Sequence, residues 1–530
     1  MARSLISAGN RLREAIEGWF QAVFSSKYNP ANYLGAVILF FMAVVLVSGI
    51  YLFIFYETNA DRAYGSVESL THDQWYAGGL MRSLHRYASD GAMLALILHA
   101  FRQLFSFRFQ RNRWVAWVSG GGLLLVTLIE GISGYWMIWD TRAAWIAIRS
   151  VEFLDALPIF GEPLARAFLV NEAVSNQFFF VILFLHLFLP IPFVFAFWIH
   201  TTRVSRPIWT MPRNVLYAIS LILFVLSAVK PALSEPAANL RMLPGQIGID
   251  WFYLFLYPFF DMVSPAWAWI AFTAALAVST LVPWLVPAGK RRAARINLRA
   301  CDGCTQCYLD CPYEAIHMQA RSDGRPYAKE AVVVAARCSS CSICVGSCDR
   351  AGVELPDFAN LAFRRRMRDL LTPDDGTGRP RILAVRCEWT VPMEPERASP
   401  NVRPLTLPCV GFIQPRTIQH AIKLGASGVF VVGCRMGDCH YREGNAWVEQ
   451  RLAGARRPSL DPGRVDPARV RAAWLAGAQT DALKRELDRF EADLKRLPPP
   501  SRPVHPGAGT GATIPNSQNR PSAPEVIAHV

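Results

Sequence analysis

Two hydrophobic textures meet near residue 290. Before it, apolar residues run on in stretches too long to show an amphipathic period. After it, they come in short bursts broken by charge, Gly and Pro. The first texture predicts six membrane-spanning helices, at about 33–56, 78–104, 115–138, 177–200, 214–232 and 264–286. Each supplies the ~20 apolar residues needed to cross ~30 Å of hydrocarbon. Residues 1–24 pattern differently, with Leu5, Ile6, Leu12, Ile16 and Phe20 opposite Arg11, Arg13 and Glu14. That is the signature of a helix lying in the membrane interface, and no cleavable signal peptide is expected. In the second texture, 381–386, 402–407 and 428–432 read as short buried strands with a helix at 417–424. Residues 467–496 read as a charged amphipathic helix, and the Pro-, Gly-, Ser- and Asn-rich 498–530 as disordered.

Charge then orients the spans. The formal net charge of +14 raises the question of nucleic acid, but the arginines stand beside apolar spans, where topology accounts for them. Arg108, Arg111 and Arg113 follow the second span, Arg203, Arg206 and Arg213 the fourth, and Lys290, Arg291, Arg292 and Arg295 the sixth. The opposite loops carry Glu57, Asp61, Glu68, Asp73, Asp140, Glu152, Asp155 and Glu162. The positive-inside bias predicts a multi-pass inner-membrane protein with both termini in the cytoplasm. All 12 cysteines fall between 301 and 439, and their regular C-x-x-C spacing indicates metal in a reducing compartment rather than disulfides.

The membrane half holds its chemistry in histidines. His85 and His99 share the second span, His186 and His200 the fourth, each pair fourteen residues apart. At 1.5 Å per residue and ~100° per step, each pair lies near one helix face, roughly 21 Å apart. Histidine in hydrocarbon is costly and calls for a partner. Two such helices can clamp two stacked haems by bis-His ligation, His85 with His186 near the outer face and His99 with His200 near the inner one. Four unrelated, separately bonded histidines would not repeat the interval. Gly35 and Gly49, with Gly120 and Gly134, repeat it in the first and third spans. Alone they would indicate helix packing; beside the histidines they suggest room for macrocycle edges.

Arg82-Ser-Leu-His85-Arg86, His99-Ala-Phe-Arg102, Gly134-Tyr-Trp-Met-Ile-Trp139-Asp140 and Asp155-Ala-Leu-Pro158-Ile-Phe-Gly161 resemble cytochrome b of the quinol-oxidising complexes, the photosynthetic form above all, over about 10–290. The resemblance implies two haem b groups, with Arg82 and Arg102 near haem propionates; snorkelling to the interface is the bland alternative. Tyr33 stands where the photosynthetic form has a cysteine, so no covalent third haem is expected. The family's Pro-Glu-Trp-Tyr motif corresponds to Ile249-Asp250-Trp251-Phe252, which leaves Asp250 as candidate acceptor of a quinol proton. An interfacial aspartate facing water is the alternative.

Cys301, Cys304, Cys307 and Cys311, followed by Pro312, form a bacterial ferredoxin run that repeats as Cys338, Cys341, Cys344 and Cys348. In such runs the fourth cysteine crosses to the other cluster. One 4Fe–4S cluster is thus assigned to Cys301, Cys304, Cys307 and Cys348, the second to Cys338, Cys341, Cys344 and Cys311. Zinc also binds C-x-x-C pairs, but the full duplicated run argues against it. Further on, each predicted strand ends at a cysteine, Cys387, Cys409 or Cys434, with Cys439 just beyond. By spacing these thiolates suit either a 2Fe–2S cluster or zinc. Gly433-Cys434-Arg-Met-Gly437-Asp438-Cys439-His440-Tyr441-Arg-Glu-Gly444-Asn445 resembles the delta subunit of methyl-viologen-reducing hydrogenases, over about 380–495. That resemblance implies 2Fe–2S and electron exchange with heterodisulfide reductases. His440 is expected to pack, not ligate.

The predicted architecture is an all-α transmembrane bundle of cytochrome b type, then a ferredoxin-like α+β domain and a small α/β iron–sulfur domain. Boundaries fall at 1–30, 31–290, 296–355, 380–497 and 498–530. The expected function is a membrane electron-transfer subunit of a quinone oxidoreductase. Its relay would run from quinone through outer haem, inner haem, two 4Fe–4S clusters and 2Fe–2S cluster to a cytoplasmic partner. No flavin fingerprint or phosphate loop is present, so substrate chemistry falls to another polypeptide, a heterodisulfide-reductase-like flavoprotein or hydrogenase-type subunits. Lipid and quinone are the other expected partners, homodimerisation is an option, and nucleic acid is not expected. A redox sensor or scaffold without quinone turnover is the rival reading.

Overall fold

The computed structural model describes residues 2–159, 163–168, 174–204, 207–241, 247–248, 250–289, 291–372, 378–393, 400–477 and 479–499. Gly161, Glu162, Arg206, Ile249, Lys290 and nearly all of the tail read as disordered lie outside the described residues.

The membrane half comprises α1 (Ala2–Tyr28), α2 (Leu34–Phe55), α3 (Ala63–His72), α4 (Leu80–Phe105), α5 (Trp114–Ile138), α6 (Thr141–Asp155), α7 (Asn176–Phe188), α8 (Pro190–Val204), α9 (Arg213–Val229), α10 (Tyr257–Met262) and α11 (Pro265–Leu285). All six expected spans form helices, the fourth as α7 and α8 joined at Pro190, whose ring cannot continue the hydrogen-bond ladder. Four stretches are long and apolar enough to cross a bilayer: Pro30–Phe55, Arg111–Ile138, Asn176–Thr202 and Pro265–Leu285. α9 is apolar but shorter. α4 is long but diluted by Arg82, Arg86, Asp90 and Arg102, two of them buried, because its polar side faces the bundle interior. It packs against α2, α5 and α9, while α5 packs against α6, α7 and α8. Apolar side chains such as Leu46, Val47, Phe53, Val181 and Phe184 point outward, whereas Ser48, Thr127, Ser133 and Ser227 are buried. α1 lays Glu14 and Glu17 inward and leaves Leu5, Leu12, Ile16 and Trp19 exposed.

The first cysteine-bearing segment builds two small antiparallel pairs. β1 (Arg295–Ile296) pairs with β4 (Val353–Glu354), and β2 (Ile316–Ala320) with β3 (Lys329–Val333). Two short helices, α12 (Gln306–Leu309) and α13 (Ile343–Ser347), carry Cys307 and Cys344. After α14 (Asn360–Leu371) comes a parallel sheet of β5 (Ile382–Cys387), β6 (Val402–Leu407), β7 (Gly428–Gly433) and β8 (Val470–Trp474), in the order β6-β5-β7-β8. α15 (Pro415–Lys423), α16 (Gly444–Leu452) and α17 (Thr480–Lys495) complete it. Both faces of the sheet are covered, so β7 is buried at every position and reads as a continuous apolar run. α17 packs Leu483, Phe490 and Leu494 against Ile382, Ala384, Phe430 and Val432.

One expectation needs correction. Residues 467–496 are not one helix: β8 occupies Val470–Trp474, paired in parallel with β7, and α17 follows. As an edge strand β8 is only partly buried, so its apolar alternation is weak and merges with the pattern of the next helix.

The two cysteine-bearing units share one core that runs through Cys307, Ile343, Phe363, Val410 and Val431. Asp310 locks them together. It is fully buried and ion-paired with Arg451 at 2.9 Å and Arg456 at 2.5 Å, and Ser347 donates to it at 2.6 Å.

Candidate functional site

Imidazoles line up on serine–glycine steps of the neighbouring helices. His85 Nδ1 stands 3.0 Å from the Val45 carbonyl and 3.2 Å from Ser48 Oγ of α2. His186 Nδ1 meets Ser133 Oγ at 2.9 Å and Glu130 Oε2 at 3.2 Å, and His200 Nδ1 meets Ser119 Oγ at 3.1 Å, both on α5. Each serine immediately precedes a glycine. A Cβ on Gly49, Gly120 or Gly134 would stand 3.0, 3.1 or 3.3 Å from Cε1 of His85, His200 or His186 respectively. The side chain nearest these three glycines is the imidazole ring, and Gly35 has nothing within 4 Å. Held by Nδ1, each ring leaves Nε2 for a ligand bond, and such anchoring fixes tautomer and orientation.

The structure brings the same histidines together in pairs. The rings of His85 and His186 lie 6.5 Å apart, centroid to centroid, and His99 lies within electrostatic reach of His200. This arrangement fits two bis-His haems. The Ser-Gly dipeptide, present three times in the membrane half, is the signal that the glycines alone do not carry.

Arg82 is buried and donates to Thr71, to Ser234 at 2.7 Å and to Glu68 at 3.5 Å. Arg102, one turn beyond His99, holds Glu17, Asn32 and Asp438, each at 3.0 Å. Neither arginine snorkels to the surface. Asp250 is buried and oriented, not facing water: Arg86 and Tyr135 donate to its Oδ2 at 3.0 and 2.7 Å, and the Phe252 N–H donates to Oδ1 at 2.7 Å.

Cys387, Cys409, Cys434 and Cys439 converge at one end of the parallel sheet, as ligands do in open α/β sheets. Cys434 Sγ lies 3.7 Å from Cys387 Sγ. A tetrahedral metal with ~2.3 Å sulfur bonds sets two of its sulfurs about 3.8 Å apart, so this pair fits one metal of a cluster. Burial opposes ionisation of Cys387, yet hydrogen bonds from Cys409 and Cys434 push its thiol down, and the same two donors lower Cys439. Among the described residues no three His, Cys, Asp or Glu side chains close tightly around a single ion. In the earlier unit, Cys307 feels Cys301, Cys304 and Cys348, while Cys341 feels Cys311 and Cys338. The structure thus brings Cys348 near the first run and Cys311 near the second. His440 stacks on Trp389 with ring centroids 3.6 Å apart and bonds Arg113 at 2.8 Å.

Comparison with known proteins matches both ends of the chain. The Cytochrome b/b6/petB family model matches residues 20–207, and that of the methyl-viologen-reducing hydrogenase delta subunit matches 384–498. A cytochrome b6 from Synechococcus sp. is 31% identical over 160 residues, 29% of this chain and 72% of that protein. An iron-sulfur subunit of the F420-non-reducing hydrogenase of Archaeoglobus profundus is 32% identical over 127 residues, 23% of this chain and 92% of that protein. A solved hyperthermophilic respiratory Complex III aligns at TM-score 0.40 and 21% identity, over 48% of this chain and 75% of that one. The cysteines from Cys301 to Cys348 lie between the two family matches, so their reading rests on their own spacing and packing. Haem b belongs with the first family and iron–sulfur clusters with the second, which makes the protein a membrane electron-transfer subunit. The N-terminal part of the chain belongs to the cytochrome b/b6 family, and its C-terminal part to the family of the methyl-viologen-reducing hydrogenase delta subunit.

Proposed function

We propose that the chain is a wire between a quinone in the bilayer and a soluble redox enzyme. His85 with His186, and His99 with His200, each hold one haem b. A ferredoxin-like unit at 296–355 holds two 4Fe–4S clusters, one on Cys301, Cys304, Cys307 and Cys348, the other on Cys338, Cys341, Cys344 and Cys311. The unit at 380–497 holds 2Fe–2S on Cys387, Cys409, Cys434 and Cys439. When bound, these groups supply one-electron transfer.

The protein's own residues orient and insulate. Ser48, Ser119 and Ser133 fix three imidazoles, and Gly49, Gly120 and Gly134 make room for them. Arg86, Tyr135 and the Phe252 N–H aim the Asp250 carboxylate, the group assigned to a quinol proton. The basic loops and both termini lie on the cytoplasmic side of an inner membrane, with α1 along its surface. The soluble partner is a heterodisulfide-reductase-like flavoprotein or a hydrogenase-type subunit, by analogy with the delta-subunit family.

The observation that carries this reading is the triple Ser-Gly seat beneath histidines spaced fourteen residues apart. Anaerobic addition of a quinol analogue to the purified protein tests it. The haem absorbance bands are expected to reduce, and reduced haem to be reoxidised by quinone; failure of both ends the proposal.

A further inference from the structure

A single aspartate of the C-terminal unit is gripped by the membrane half. Asp438 pairs with Arg13 of α1 at 3.0 Å, Arg102 of α4 at 3.0 Å and Arg108 of the following loop at 2.5 Å, with Arg435 at 3.8 Å. Arg435 also pairs with Glu17 of α1. Gly437, at φ +79°, brings this loop so close to Asn32 that a Cβ would stand 2.8 Å from its side chain. Beside it, Arg113 donates to the His440 carbonyl at 3.0 Å.

These contacts bear on order. Asp438 precedes Cys439, and Arg102 lies one turn from His99. The earlier unit meets the membrane half through Arg111 to the Ser339 carbonyl at 2.8 Å and Asn112 to the Arg337 carbonyl at 2.6 Å, in the loop before α5, and not through α4 itself among the contacts described. The three cysteine sets are neighbours of one another. Cys439 is within electrostatic reach of Cys341, Cys344 is within reach of Cys307, and Cys304 is exposed.

We propose that Asp438 is a positioning residue that seats the Cys387, Cys409, Cys434 and Cys439 set on the His99–His200 end of the bundle. This makes that set the membrane-proximal one and leaves the Cys301, Cys304, Cys307 and Cys348 set facing outward. It reverses the order expected from the chain, in which the last unit along the sequence is the last before the partner. The inference rests on the function proposed above, for it takes the histidine and cysteine sets as cofactor ligands.

The test is electron paramagnetic resonance on the purified full-length holoprotein, with haem and iron content measured first. A paramagnetic ferric haem speeds the spin relaxation of its nearest reduced cluster. The binuclear-cluster signal is expected to relax faster with the inner haem ferric than with it ferrous. That difference is expected to be lost in Asp438→Asn and Gly437→Val at unchanged cofactor content, and restored in Asp438→Glu. Relaxation enhancement carried by a 4Fe–4S signal instead, or left intact in both disruptive variants, overturns the seating. Wild-type protein that lacks two haems or the binuclear signal fails the function proposed above, a separate outcome.

Discussion

The membrane bundle and the parallel-sheet unit solve the burial problem in opposite directions. In the sheet, Ile382, Leu383, Phe430, Val431 and Val432 are fully buried, and the apolar side chains are the core. In the bundle, Leu46, Val47, Phe53 and Phe184 face outward, while Arg82, Arg102, Ser48 and Ser133 are buried. Polar groups inside the bundle orient chemistry, whereas apolar groups inside the sheet hold it still. At Asp310 a charge enters the core of the soluble half, and there it ties one unit to the next.

That contrast can be broken most forcefully at Asp310. Asp310→Ala leaves Arg451 buried without its carboxylate, a loss expected to cost about 3–5 kcal/mol and read by denaturant unfolding of the full protein. The position also carries a pH signature. Burial opposes ionisation, but Arg456, Ser347 and Arg451 hold the Asp310 carboxyl below its ordinary value. A depressed folded value means that its stabilisation is complete above the unfolded carboxylate value of about 3.9 and fades as pH falls through the folded one. Wild type is expected to lose more stability below about pH 4 than Asp310→Asn does. Of similar size is Phe430→Ala in the sheet core, expected to cost about 3–5 kcal/mol. Ser133→Ala removes the hydroxyl at His186 Nδ1 and is expected to weaken haem retention about 10–100-fold, measured by haem loss to apomyoglobin. Phe53→Ala, on the outward face of the bundle, is expected to change stability by less than about 0.5 kcal/mol. A large cost there, or none at Phe430, would erase the contrast.

Much of this is legible in the sequence because it is periodic or local. Apolar length marks four of the six expected spans; α9 is apolar but shorter, and in α4 the run is diluted by its own arginines. The strands β5, β6 and β7 lie within a residue of expectation, because buried parallel strands are unbroken apolar runs. β8 escapes notice because an edge strand that keeps Arg471 shows too little contrast with α17. The histidines and cysteines announce themselves by repeated intervals. The serine seats are visible only as a dipeptide whose meaning depends on a neighbouring helix. Asp438 is invisible as a seat: its partner Arg102 is 336 residues away, and no local pattern encodes that meeting.

The central claim is two haems between α4 and the α7–α8 pair, and quantifying haem b per chain tests it most directly. Wild type is expected to carry two, and alanine at His85, His99, His186 or His200 to remove one in each case. Haem content that stays at the wild-type level in all four variants would contradict the account.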